Sequence, residues 1–294
     1  MRSLLLRLTQ RLVVGSNLPW RLRYLVSASI LKALMPIGAS IEGYVGAYQV
    51  SFDVRDRIQR EAYLGFYEPV HVRLLKRLLK PGDVFFDVGA NVGYYSLLAS
   101  QIVTSAGKVH AFEPVAESLA VLERAVNANG VSNIVLNSVG VGAGEGVVTL
   151  YTSDVGEVRN SGQASATPSE NRPRPRSIRV ISLDEYTRSR GVGRVRLVKI
   201  DVEGMELDVL RGMSTLLSRS DSPDLFCEVW ETNSCELINC LSGHGYHLYP
   251  SPFTEALSSV RELGGIANLF CTKDPSQIGG PGGMLRRVAS LFEK

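Results

Sequence analysis

The segment Asp87-Val88-Gly89-Ala90-Asn91-Val92-Gly93 combines an acid with a glycine turn at a place suited to ligand binding. It joins a short apolar stretch, Val84–Asp87, to the helix-patterned run Val92–Ile102. A glycine turn there lets a ligand approach the backbone, and the helix start presents unpaired N–H groups. In nucleotide-binding α/β sheets this strand end is the cofactor corner. The dinucleotide fingerprint is G-x-G-x-x-G, whereas this chain reads D-x-G-x-N-x-G, with other glycine spacing and an added acid. A pyrophosphate disfavours a neighbouring carboxylate, but the charged amino group of a methionine moiety favours one. The segment therefore points to S-adenosylmethionine rather than NAD. Asn91 can stand for a glycine because Asn tolerates left-handed backbone.

Three further segments follow. Glu113 comes directly after the next strand-like run, Lys108–Phe112, and Pro114 fixes the exit. An acid in that place can accept hydrogen bonds from ribose hydroxyls. Lys199-Ile200-Asp201-Val202-Glu203-Gly204 ends a later apolar strand. Two carboxylates and a lysine at the mouth of a sheet are costly to desolvate without a use. Asp201 suits a general base for a hydroxyl, or a ligand to a divalent cation that acidifies it. Glu203 has the same position or, alternatively, caps the next helix, where Glu206 and Asp208 also favour the dipole. Glu228, in Cys227-Glu228-Val229-Trp230-Glu231, faces the same mouth or forms a structural ion pair.

Alternating elements must position these groups. Strands are expected at 48–54, Val84–Asp87, Lys108–Phe112, Ile134–Val139, Val147–Tyr151, Arg179–Leu183, Arg196–Ile200, Leu225–Trp230, Gly245–Tyr249 and Ala267–Thr272. Helices are expected around Ile58–Tyr63, from Pro69 through Leu79, and over Val92–Ile102, Glu117–Asn129 and Met205–Leu217. Short apolar strands alternating with helices imply a parallel sheet covered on both faces. The stretch 152–178, with Arg172-Pro173-Arg174-Pro175-Arg176, is expected to be mobile.

The 294 residues, 45% hydrophobic, suffice for one large α/β domain with its own core. A net charge of +3, with the basic residues scattered among acids, argues against a nucleic-acid partner. Cys227, Cys235, Cys240 and Cys271 show no C-x-x-C spacing, which argues against zinc and for free thiols in a reducing cytosol. His71, His110, His244 and His247 show no metal-ligand spacing, and His110 reads as structural. No run of about 20 apolar residues predicts a transmembrane helix. Arg7 and Arg11 interrupt the apolar N-terminus, which makes a poor signal peptide. The expected location is cytoplasmic. Leu5, Leu8 and Leu12 share a helical face, so residues 1–36 read as an arm. That arm either packs on the domain or a partner subunit, or rests on a membrane surface.

At these residues the sequence resembles the FkbM family of methyltransferases. The resemblance runs from about Phe66 to Lys273. It rests on Gly65–Pro69, Pro81-Gly82-Asp83 leading into Asp87–Gly93, Ala111-Phe112-Glu113-Pro114, Ile181-Ser182-Leu183-Asp184, and Val198–Gly204 continuing through Leu207. It implies an α/β class I methyltransferase fold: a Rossmann-like, doubly wound seven-stranded sheet whose last strand is antiparallel. It implies S-adenosylmethionine as donor and a hydroxyl acceptor on a sugar, glycan, glycolipid or polyketide. Carried over by motif, Asp87, Gly89, Asn91 and Gly93 contact the methionine half and Glu113 the ribose. Glu68 approaches the cofactor, and Asp201 and Glu203 lie near the transferred methyl. Asn160–Ser165 resembles a family loop near the acceptor. The expected division is an N-terminal extension over 1–65, a methyltransferase domain over 66–275 and a tail over 276–294.

Three rivals are weaker. Enzymes that methylate amino groups of nucleic-acid bases commonly carry N/D-P-P-Y/F after the fourth strand, where this chain has Asp201-Val202-Glu203-Gly204. An NAD-linked oxidoreductase has the wrong glycine fingerprint. A non-catalytic scaffold is disfavoured by the intact glycines and Asp201.

Overall fold

A computed structural model of the chain describes residues 40–152, 174–230, 234–250 and 267–277, with Leu22, Leu25, Val26 and Ser29 in helical conformation. The arm expected over 1–36 lies outside these residues apart from those four, as does the loop Asn160–Ser165. The chain opens with a hairpin, β1 (Ile41–Val45) and β2 (Tyr48–Phe52). Helix α1 (Arg57–Leu64) follows, capped by the Asp56 carboxylate on the Gln59 N–H and closed by Gly65 in the left-handed region. Helix α2 (Pro69–Leu78) starts on proline, whose fixed φ suits a first turn.

Next come β3 (Val84–Val88), α3 (Tyr94–Val103), β4 (Lys108–Phe112), α4 (Ala116–Ala128) and β5 (Ile134–Asn137). Three small strands follow: β6 (Gly140–Val141), β7 (Gly146–Thr152) and β8 (Arg174–Ile181). The chain then runs through α5 (Leu183–Arg190), β9 (Leu197–Ile200), α6 (Glu206–Arg211), α7 (Ser214–Ser218), β10 (Asp224–Val229), α8 (Ser234–Gly243), β11 (His247–Pro250) and β12 (Ala267–Thr272).

Seven strands form one sheet in the order β11-β12-β10-β9-β3-β4-β5. The five strands from β10 to β5 are mutually parallel, and β12 inserts antiparallel between β10 and β11. This is the class I methyltransferase topology expected from the sequence. Strand alternation divides the interior into two layers. Phe85 packs in one core with Leu97, Leu122, Leu197 and Phe270. Its neighbour Phe86 packs in the other with Phe112, Val198, Leu210 and Leu225. Each fully buried phenylalanine contributes on the order of 1.5–3 kcal/mol. Chain order reverses between β3 and β9, and a crevice opens beyond their paired carboxyl ends.

Several elements differ from expectation, and β6, α5 and α8 were not anticipated. The helix expected over Met205–Leu217 breaks into α6 and α7 at Gly212, where a Cβ would lie 2.0 Å from the Gly142 carbonyl oxygen. Arg174-Pro175-Arg176, expected to be mobile, belongs to β8. Strand β6 pairs only with Val180 and Ile181, so Pro175 sits where β8 has β7 as its one neighbour. Strand β1 was not anticipated. Its hairpin is pinned to the domain by Gln101, which donates to Val45 O, and by Asn129, which bonds both ways with the Gln49 backbone.

His110 is structural, as read from the sequence: Nδ1 lies 2.8 Å from the Tyr186 hydroxyl, which donates to Asn137 Oδ1. Cys227 and Cys271 are buried free thiols. Among the described residues no helix is long and apolar enough to cross a membrane.

Candidate active site

The crevice is a cavity of about 330 Å³ over the carboxyl ends of β3, β4, β9 and β10, within the range of small-ligand sites. Its floor is the turn after β3. Gly89, Asn91 and Gly93 all have positive φ, at 77°, 50° and 84°. Asn91 thus adopts the left-handed backbone expected of it. Gly89 must be glycine for a second reason: a Cβ would sit 1.8 Å from the Asp201 carbonyl oxygen. The β3 turn and the β9 exit therefore touch backbone to backbone, and the Asp201 N–H donates to Val88 O at 3.1 Å.

Glu113 ties this turn to the end of β4. One oxygen accepts the Asn91 N–H and the other the Val115 N–H, each at 2.8 Å. Burial pushes its carboxyl up to about 7, against the pull of those two N–H groups. Beside it, Val141, Leu150, Ile178 and Val180 of the small sheet and Pro114 make an apolar wall suited to a flat ring.

The opposite end is charged. Lys199 is buried in β9 and donates to Asp201 Oδ2 at 2.9 Å, with its ammonium 5.2 Å from the Tyr95 ring centre. Burial pulls the lysine down, but Asp201, Asp87 and Glu68 outweigh it and hold the ammonium above its ordinary range. Glu68, at φ 40°, accepts from the Tyr95 hydroxyl at 2.5 Å. Tyr67, Tyr94 and Tyr95 pack edge to face around this corner. Glu228 accepts from Trp230 Nε1 at 2.9 Å, and burial together with the Asp201 charge pushes it up to about 7. Arg57 and Glu61 of α1, an ion pair at 3.1 Å, complete the lining on the N-terminal side.

Of the residues expected from sequence, Glu68, Gly89, Asn91, Glu113, Asp201 and Glu203 line this one cavity. Asp87 and Gly93 do not. Asp87 is fully buried behind the turn, where Ser96 Oγ donates to its Oδ2 at 2.6 Å and burial raises its carboxyl. Gly93 starts α3, and a Cβ there would lie 2.3 Å from Leu122 Cδ1. Glu203, weighed as a helix cap, makes no side-chain cap on the following helix; the loop before that helix is held by Glu206, whose Oε1 accepts from the Val202 and Gly204 N–H groups. Glu203 itself holds φ 56° at the cavity wall. Tyr67, Tyr95, Arg57 and the β8 wall were missed, because no periodicity places them beside the β3 turn.

The profile described as the methyltransferase FkbM domain matches residues 87–248, from the β3 acid through β11. The chain belongs to the FkbM methyltransferase family. Two curated FkbM-type relatives are similar over most of their length. Hexuronic acid methyltransferase AglP of Haloferax volcanii is 30% identical, over 62% of this chain and 70% of that one. The 31-O-demethyl-FK506 methyltransferase FkbM of Streptomyces tacrolimicus is 27% identical, over 72% and 87%. Among solved structures, the precorrin-6y C5,15-methyltransferase of Geobacter metallireducens is similar at 14% identity and a TM-score of 0.42, covering 71% of this chain and 88% of its own.

The sheet order and the family match together give the methyltransferase fold, and the residues at the crevice fit S-adenosylmethionine. Asn91 Oδ1, at the cavity floor, is buried with no hydrogen-bond partner among the described residues. An orphaned acceptor at this turn suits an incoming ammonium group. Glu113 stands between the turn and the apolar wall, where a ribose would lie. Among the described residues no group of three His, Cys, Asp or Glu is arranged to hold a metal ion.

Proposed function

We propose that this chain is an O-methyltransferase that moves the methyl group of S-adenosylmethionine to a hydroxyl of a sugar, glycan, glycolipid or polyketide-type molecule. One observation carries the reading. Glu68, Asp201, Glu203 and Glu228 line one side of the cavity, with Lys199 as their buried counter-charge, beside a wall of apolar groups. An acid-rich cavity favours a cationic sulfonium donor and supplies an acceptor for the hydroxyl proton. The relatives' names, hexuronic acid and 31-O-demethyl-FK506 methyltransferases, support an oxygen acceptor on a sugar or polyketide.

The donor when bound supplies an activated methyl carbon; this chain's residues do the rest. Gly89, Asn91 and Glu68 hold the methionine half, with Asp87 supporting the turn from behind. Glu113 binds the ribose, and Val141, Leu150 and Val180 enclose the base. The protein thereby fixes the acceptor oxygen in line with the methyl carbon and keeps water out. Asp201 orients the acceptor hydroxyl through its carboxylate. Lys199 neutralises Asp201 through its Oδ2, and the transfer is proposed without a metal.

Radiolabelled methyl transfer from S-adenosylmethionine to a glycan and lipid extract of the source cells tests this reading. Label in a base-stable ether is expected, insensitive to chelator, and reduced on the order of 10²-fold by Asp201→Asn through lost orientation of the acceptor. Label in nucleic acid instead, or wild-type transfer by Asp201→Asn, contradicts it.

A further inference from the structure

A smaller cavity of about 10 Å³ lies behind the cleft, enough for a single water. Glu68, Tyr95, Lys199, Asp201 and Glu228 line both spaces, while His71, Asn268 and the apolar Ile200 and Phe226 line the chamber alone. The carboxylates and the ammonium in that lining offer a water two or more hydrogen-bond partners. We propose that Glu228 accepts the proton of the acceptor hydroxyl and hands it to a water held in this chamber, with Asp201 acting as a positioning residue. The proposal rests on the O-methyltransferase reading.

Geometry carries it. Cys227 of β10 pairs with Ile200 of β9, so Glu228 and Asp201 are the next residues on two adjacent parallel strands and stand side by side at the mouth. Asp201 is already engaged: a proton on its carboxylate would leave the buried Lys199 ammonium without its hydrogen-bonded counter-charge. Among the described residues Glu228 has no such bond to a cation. Its hydrogen bond from Trp230 Nε1 fixes the plane of the carboxyl.

Burial first, and then the charges of Asp201 and Glu206, lift the Glu228 carboxyl to about 7, with Trp230 and Lys199 opposing. A base near the working pH is half charged and ready to take a proton. Of the other groups, Glu113 is held by the Asn91 and Val115 N–H groups and Arg57 pairs with Glu61. Glu68 accepts from the Tyr95 hydroxyl, and burial lowers the His71 imidazole, so it is neutral near pH 7. In the step itself, the acceptor oxygen forms its bond to the methyl carbon. The carbon–sulfur bond breaks with its electron pair staying on sulfur, and the O–H proton moves to the Glu228 carboxylate. Release of that proton through the chamber water restores the carboxylate.

The test uses the full chain and Glu228→Gln, which keeps an oxygen for Trp230 Nε1. Carboxyl titration is followed by carbon-13 NMR of glutamate-labelled protein. Two resonances, those of Glu113 and Glu228, are expected to titrate near pH 7; the one that vanishes in Glu228→Gln should move toward the ordinary range in Asp201→Asn. Label transfer to the cell extract is expected to fall about 10²–10⁴-fold in Glu228→Gln, with S-adenosylhomocysteine affinity within twofold of wild type. The low-pH limb of the wild-type rate profile should be absent from the residual activity. A Glu228 resonance that titrates below pH 5, or Glu228→Gln transfer within threefold of wild type, overturns the proposal. If wild type transfers no label at all, the acceptor reading fails, and the titration alone decides whether Glu228 stands as the proton acceptor.

Discussion

Gly89 and Gly65 allow a controlled measurement of how tightly the cofactor turn is built. Both have left-handed backbone, at φ 77° and 74°. Alanine at either position pays the left-handed penalty of about 1–2 kcal/mol. Around Gly65 a Cβ would meet nothing within 4 Å, so Gly65→Ala should cost that penalty and little more. At Gly89 the same Cβ lies 1.8 Å from the Asp201 carbonyl oxygen, more than an ångström inside any tolerated contact. That oxygen is backbone, and the Asp201 N–H is anchored on Val88 O. It moves only if β3 and β9 part, which adds about 1–3 kcal/mol of overpacking strain. Urea denaturation of both variants gives the comparison. Gly89→Ala should be less stable than Gly65→Ala by that margin and should also lose S-adenosylhomocysteine affinity, which Gly65→Ala should keep. Equal stabilities within about 0.5 kcal/mol, the ordinary size of a neutral surface effect, would refute the close approach on which the site is built.

Lys199→Met should destabilise the protein by about 3–5 kcal/mol, because it leaves the Asp201 and Asp87 charges without their buried cation; a melting temperature equal to wild type would contradict this. The Glu113 and Glu228 carboxyls are raised to about 7 from an ordinary 4.5. The folded state therefore holds protons that the unfolded state has lost between those values, and stability should fall as pH rises through that window. Glu113→Gln should flatten the fall by up to about 3 kcal/mol, read from urea midpoints at about pH 5 and 7.5; an unchanged slope would show that Glu113 is not desolvated.

The core of the site was legible because each part is local. A glycine turn between an apolar strand and an amphipathic helix fixes where a ligand can approach. Asn91 in the left-handed region follows from its side chain, and Glu113 from its place after β4. The sheet order followed from the family resemblance and from alternating elements. What stayed hidden depends on contacts between distant segments. Asp87 reads as a wall residue, but it projects to the α3 side of the sheet, where Ser96 takes it. Spacing alone left Glu203 between a site role and a helix cap; only the path of the Val202–Gly204 loop, held by the Glu206 carboxylate, leaves Glu203 at the cavity wall. The break at Gly212 comes from the backbone of Gly142, seventy residues earlier. Arg57 and Tyr67, outside the matched domain, reach the cleft because the β1–β2 hairpin docks on α3 and α4.

Calorimetric titration with S-adenosylhomocysteine bears most directly on the claim that the crevice between β3 and β9 is the cofactor site. The wild-type chain should bind one equivalent. Glu113→Ala removes the carboxylate that would hold the ribose, a loss of about 1.5–3 kcal/mol for hydrogen bonds to a charged group. Its affinity should therefore fall roughly ten- to a hundredfold in a protein whose circular dichroism shows it folded. Undiminished affinity in folded Glu113→Ala, or no binding by the wild-type chain, would contradict the assignment.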